Sequence, residues 1–170
     1  MKRVLVVIGV IAVVAMGVFI GLKNEKEQNQ DVIKIGFVLP MTGDSANHGK
    51  DIMQGAYMAL DDFKERIGAT NVQIRFLEED NFSTSKGSVS AFENLIQIHK
   101  PWIILGPVAS SDMLALVPIA EKSETVLLSP TASSPSLSNA GKFIFRIALL
   151  APDQTSVISK YAYSCCPVYE

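Results

Sequence analysis

Cysteine is nearly missing from this chain: two of its 170 residues, the neighbours Cys165 and Cys166, carry a thiol. A bridge between adjacent residues is strained and no third thiol offers a partner, so no disulfide framework is expected. Histidine is equally scarce. His48 and His99 lie far apart with no cysteine or carboxylate at ligand spacing around them, which argues against a metal site. A surplus of either charge is also lacking, with 15 Lys and Arg against 17 Asp and Glu and a formal net charge of -2. Such a balance gives no basic surface for nucleic acid and no acidic tail. Catalytic signatures are absent too. No serine sits in a G-x-S-x-G elbow, and neither a G-x-x-x-x-G-K-[ST] loop nor a G-x-G-x-x-G turn follows the first strand pattern. The acidic run Glu78-Glu79-Asp80 reads as a solvated loop. The expectation is a protein that is not an enzyme, with no cofactor, no metal and no nucleic-acid partner.

Apolar residues, at 48%, are plentiful. The first long run belongs to targeting: Lys2 and Arg3 precede the uncharged stretch Val4 to Leu22, and a polar spacer from Lys23 to Gln30 comes next. Nineteen residues at about 1.5 Å per helical residue nearly span a hydrocarbon core. The positive charges ahead of the run favour export of the chain beyond it. Residues 1–30 are therefore expected to form either a signal peptide or an uncleaved signal anchor through which the chain meets the membrane. No cysteine comes after the run at the place a lipid would need, so a lipoprotein-type N-terminus is excluded.

Beyond that segment, strand and helix patterns alternate. Ile33 to Leu39 reads as a strand ended by Pro40, and Met41 to Gly49 as a loop. Ile52, Ala56, Leu60, Phe63 and Ile67 then recur at helical spacing until Gly68. Val72 to Leu77 predicts a second strand. Val89, Phe92, Leu95, Ile96 and His99 mark a second helix after a Ser83-Thr84-Ser85 cap region, with His99 read as a partner of the helix end or a packing residue. Trp102 to Leu105 predicts a third strand. Met113 to Ala120 predicts a short or kinked helix, because it contains Pro118. Val126 to Leu128 and Phe143 to Ile147 predict two more strands, and Pro152 opens a last helix with Val157, Ile158 and Tyr161 on its buried side. Such alternation with short connections implies an α/β fold: a parallel sheet with helices on both faces and ligand loops at the carboxyl ends of the strands.

The stretch from Trp102 to Leu137 carries the strongest functional signal. Two apolar runs each end in small hydroxyl residues: Gly106-Pro107-Val108-Ala109-Ser110-Ser111 and Ser129-Pro130-Thr131-Ala132-Ser133-Ser134-Pro135. Serine hydroxyls beside free N–H groups at a helix start can hold a carboxylate without a charged side chain. Each serine taken singly reads more readily as a helix cap or a loop residue; it is two such loops at matching strand ends that point to a site.

Together with Ile35-Gly36-Phe37-Val38-Leu39-Pro40-Met41-Thr42-Gly43 and His48-Gly49, these segments resemble the N-terminal part of the type I periplasmic binding proteins, in particular the Leu/Ile/Val-binding branch that feeds ABC importers. The resemblance runs from Ile33 to about Tyr163. It implies an incomplete first lobe of a Venus-flytrap fold over residues 31–163, with 164–170 as an aberrant tail of a truncated or frame-shifted product. It also implies an extracytoplasmic protein whose intact relatives bind a branched-chain or other amino acid and deliver it to an ABC permease; a membrane-anchored sensing domain of the same fold is the alternative. Carried over by position, Ser110 would meet the ligand's α-carboxylate with the backbone of Ser111 nearby. Thr131 would accept from the α-ammonium through its carbonyl, Ala132 and Ser133 would line the head group, and His48 stands where relatives place a pocket-lining aromatic.

Overall fold

The computed structural model describes residues 32–68 and 72–165. Five strands form one parallel sheet: β1 (Val32–Leu39), β2 (Gln73–Asp80), β3 (Ile103–Leu105), β4 (Val126–Ser129) and β5 (Ile144–Arg146), in the order β2-β1-β3-β4-β5. Four α-helices alternate with them: α1 (Ala46–Ile67), α2 (Ser85–Asn94), α3 (Ser110–Ser123) and α4 (Ala151–Cys165). A π-helical turn, Leu95–His99, extends α2, and Lys100 in the left-handed region closes it. The strand order reverses next to β1, the topological point outside which open α/β sheets leave a crevice at their carboxyl ends.

Burial explains why these segments form these elements. β1 reads VIKIGFVL and its burial deepens along the strand until Phe37, Val38 and Leu39 are almost without exposure, the near-continuous apolar run of a strand covered on both sides. On one face α2 and α3 pack Phe92, Leu95, Met113 and Leu116 against Val38, Ile104 and Leu127, all seven fully buried. Each such side chain contributes about 1.5–3 kcal/mol. On the other face α1 presses Met53 onto Phe37 and Leu39, with Phe37 and Phe76 edge to face at 4.9 Å.

Several sequence expectations change here. α1 begins at Ala46 inside the stretch read as a loop; its first turn is polar, so no apolar stripe announces it. β2 runs through Glu78, Glu79 and Asp80, pairing Phe37 with Glu78 and Leu39 with Asp80, so these acids end a strand. α3 continues through Pro118 as a 14-residue helix beginning at Ser110. α4 buries no residue, and Val157, Ile158 and Tyr161, expected on a buried side, are 69%, 66% and 71% exposed. His99 is half-buried and its carbonyl accepts from Lys34 Nζ at 3.1 Å, a structural role. The proposed membrane segment Val4 to Leu22 and Cys166 lie outside the described residues; among the described ones no helix is long and apolar enough to cross a membrane.

Candidate functional site

β3 and β4 are neighbours in register, Leu105 beside Leu128, so the segments beyond them emerge side by side at one end of the sheet. Gly106 makes the first turn possible. Its φ of +106° suits glycine, and a Cβ there would run into the Val38 carbonyl of the adjacent strand. Four residues later α3 starts. Its N-cap, Ala109, has extended backbone and no side chain able to accept, so the N–H groups of the first turn gain no partner from the cap.

Ser129, the last residue of β4, laces the two segments together. Its hydroxyl is fully buried, donates to the Pro107 carbonyl at 2.6 Å and accepts from the N–H of Ala132 at 3.0 Å and of Thr131 at 3.4 Å. Thr131 adds a second stitch, Oγ1 donating to the Val108 carbonyl at 2.8 Å. Ser110 makes the third: its Oγ accepts from the Ser134 N–H at 3.3 Å, which leaves the hydroxyl proton available to donate. Arg146 at the end of β5 backs the second loop, Nη1 donating to the Ser134 carbonyl and Nη2 to Ser138 Oγ, both at 2.6 Å. A guanidinium there adds positive potential behind a rim already lined with N–H donors.

The structure thus brings Ser110, Ser111, Thr131, Ala132 and Ser133 to one end of the sheet, in different postures. Ser111 is exposed and turns its hydroxyl toward Asp112 Oδ1 at 3.3 Å. Thr131 spends its hydroxyl and N–H inside the loops, and its carbonyl has no partner among the described residues. Ala132 packs its methyl into the core at 1% exposure and gives its N–H to Ser129, so it shapes the loop from beneath. Ser133 is half-buried; its carbonyl accepts from the Ala151 N–H at 3.0 Å, while its hydroxyl has no partner among the described residues. His48 lies in the exposed first turn of α1, after β1, at the same end of the sheet. Sequence reasoning placed Ser129 in the hydroxyl segment without giving it a role, and passed over Arg146. Ser129 was visible as a hydroxyl closing an aliphatic strand, and Arg146 as a lone cation between Phe145 and Ile147.

The profile of the periplasmic binding protein family matches residues 32–164, the whole sheet together with its helices. The chain belongs to that family. Among relatives of this periplasmic binding protein, the Leu/Ile/Val-binding protein BraC3 of Rhizobium johnstonii is 25% identical over 130 residues, 76% of this chain and 35% of that protein. The leucine-, isoleucine-, valine-, threonine- and alanine-binding protein of Pseudomonas aeruginosa is 27% identical over 132 residues, 77% of this chain and 35% of the relative. The branched-chain amino acid transporter substrate binding protein LivJ of Streptococcus pneumoniae, solved with isoleucine, superposes with a TM-score of 0.72 at 29% identity, over 78% of this chain and 38% of that one. The fold is that of a type I periplasmic binding protein lobe, and the chain spans about a third of the length of the curated relatives it matches.

Proposed function

We propose that the rim at the ends of β3 and β4 is the head-group half of an amino-acid site, and that this protein acts as an extracytoplasmic solute-binding protein serving an ABC importer. The observation that carries the reading is the lacing of two hydroxyl-bearing loops by Ser129, Thr131 and Ser110, which sets donors and acceptors of both kinds beside one helix start. Ser110 Oγ–H and the first-turn N–H groups of α3 suit a carboxylate. The Thr131 carbonyl suits an ammonium, and the Ser133 hydroxyl serves either. Neutral groups can serve here because hydrogen bonds from the rim replace, group by group, those that the carboxylate and the ammonium give up with water. Among the relatives, the names of the Rhizobium and Pseudomonas proteins and the isoleucine bound to the Streptococcus protein favour a branched-chain or similar amino acid.

One lobe offers about half of the contacts of a closed clasp while the ligand loses the same freedom on binding, so affinity should be weak, of order millimolar. Calorimetry on the 170-residue chain is expected to register little heat. Amide NMR detects such binding: isoleucine should shift the signals of residues 110–112 and 131–134 together, and Ser110→Ala and Ser133→Ala should each weaken the response. Shifts confined to other surfaces, or unchanged in both variants, remove these roles. Val4 to Leu22 would tether the lobe outside the cytoplasmic membrane, in the importer or in a sensing receptor of the same fold; recovery in the soluble periplasmic fraction would overturn the tether.

A further inference from the structure

The segment joining β2 to α2 is more heavily built than a connection requires. Phe82 and Ser83, neither of them glycine, both sit in the left-handed region, with φ of 54° and 55°. Consecutive residues held there persist only where their surroundings over-determine them. Asn81 supplies part of that support: fully buried, it gives its N–H to the Leu39 carbonyl at 3.1 Å and its Nδ2 to Ser88 Oγ at 2.9 Å, and its Oδ1 accepts from the Ser83 N–H at 3.0 Å. What the turn then does is reach across to the segment after β1. Asp80 Oδ1 accepts from the N–H of Met41 at 2.9 Å, of Thr42 at 3.3 Å and of Phe82 at 2.8 Å, while Oδ2 accepts from Thr42 Oγ1 at 2.6 Å. Ser83 Oγ donates to the Thr42 carbonyl at 2.9 Å and accepts from the Ser45 N–H at 3.1 Å.

We infer that Asp80 and Ser83 form a buckle that fixes residues 41–45, and that Asp80 is a positioning residue for the candidate site. Two contacts link the buckled segment to the rim. Met41 and Val108 pack against the same cluster of Phe37, Leu39 and Met53, and the Val108 carbonyl is the acceptor that holds Thr131. At its other end the segment leads into the first turn of α1 and His48. Asp80 therefore acts on ligand through Met41 and Thr42 and touches none itself. That consequence for binding rests on the function proposed above; the buckle itself does not.

The carboxylate is the titratable part of the device. Burial raises its pKa, but the Thr42 hydroxyl and the N–H groups of Phe82, Met41 and Thr42 together outweigh burial and hold it below the ordinary carboxylate value. Glu79 on β2 and Glu93 on α2 line one surface cleft with Asp80, Glu78 lies two residues before Asp80 on β2, Lys86 lies in the first turn of α2 and Asp44 in the buckled segment. Among the described residues no salt bridge reaches Asp80, so hydrogen bonding, not a neighbouring cation, lowers it. With the folded value depressed, the bonds are complete above the ordinary range near about pH 4 and are lost as pH falls through the lower folded value.

Amide NMR of the full 170-residue chain tests this. The signals of Met41, Thr42 and Phe82 should titrate with one shared midpoint below the usual carboxylate value, while residues 115–120 in the body of α3 stay still. In Asp80→Asn that shared titration should vanish, and at neutral pH amides 41–45 should exchange at least about tenfold faster. Should Asp80→Asn fail to fold, as loss of the α3 and β4 signals would report, Thr42→Val removes one bond and should move the midpoint upward. Separate midpoints, an ordinary value, or loop protection unchanged in a folded variant would overturn the buckle. Isoleucine shifts at 110–134 that persist undiminished in folded Asp80→Asn would overturn its positioning role. Absence of those shifts in the unaltered protein would instead remove the proposed function and leave the buckle standing.

Discussion

The two faces of the sheet receive the same kind of residue and meet different fates. One row across it runs Ile104, Leu127, Ile144, and α2 and α3 close over it, leaving the first two fully buried and Ile144 packed against the core they form. The opposite row runs Phe37, Leu105, Leu128, Phe145, and exposure climbs along it from 1% at Phe37 to 49% at Phe145. α1 covers the β1 and β2 end of this face, and nothing described covers the β5 end. α4, which leaves that end, keeps its apolar stripe in solvent as well. A run of aliphatic residues thus specifies that a strand forms and which way its side chains alternate, but only the number of helices on each side decides what is buried.

Four measurements would break or sharpen that contrast. Leu116→Ala, on the closed face, should cost about 2–5 kcal/mol in denaturant unfolding followed by circular dichroism. Gly106→Ala sets a Cβ against the Val38 carbonyl at a backbone angle that side chains avoid, and should cost about 1–3 kcal/mol with a loosened rim. Ser129→Ala removes the buried hydroxyl between the loops and leaves the Pro107 carbonyl and the Ala132 N–H without it; about 1–3 kcal/mol is expected, together with faster amide exchange at 131–134. Phe145→Ser, on the open face, should change stability by no more than about 0.5 kcal/mol. If Phe145→Ser proved as damaging as Leu116→Ala, or if its effect grew with protein concentration, the open face would be occupied in solution and the contrast would fall.

Much of this arrangement was legible in the residues. The parallel sheet followed from apolar runs alternating with helical stripes, and the rim followed from small hydroxyl residues clustered where two runs stop. The misread parts share a cause: each turns on surroundings, or on their lack, that the local pattern does not record. Glu78, Glu79 and Asp80 look like a loop because acids are poor strand formers, yet pairing with β1 holds them extended and Met41, Thr42 and Phe82 use the last carboxylate. The first turn of α1 carries Asn47 and His48 in solvent, so helical periodicity could not place its start. Pro118 suggested a short or kinked helix, but burial of Met113, Leu116 and Ala120 on both sides of it outweighs one missing backbone bond and the helix runs 14 residues. Val157, Ile158 and Tyr161 do form a stripe; the pattern tells where apolar side chains stand and is silent about what they touch.

The bond from the Ala151 N–H to the Ser133 carbonyl joins the outgoing helix to the very segment proposed to grip the solute. Ser133 is therefore the residue through which the start of α4 bonds to the rim, with Arg146 clamping the adjacent carbonyl like the fixed jaw of a vice. A helix that buries nothing is thus pinned at its first residue to the rim, the one place where its position bears on the solute.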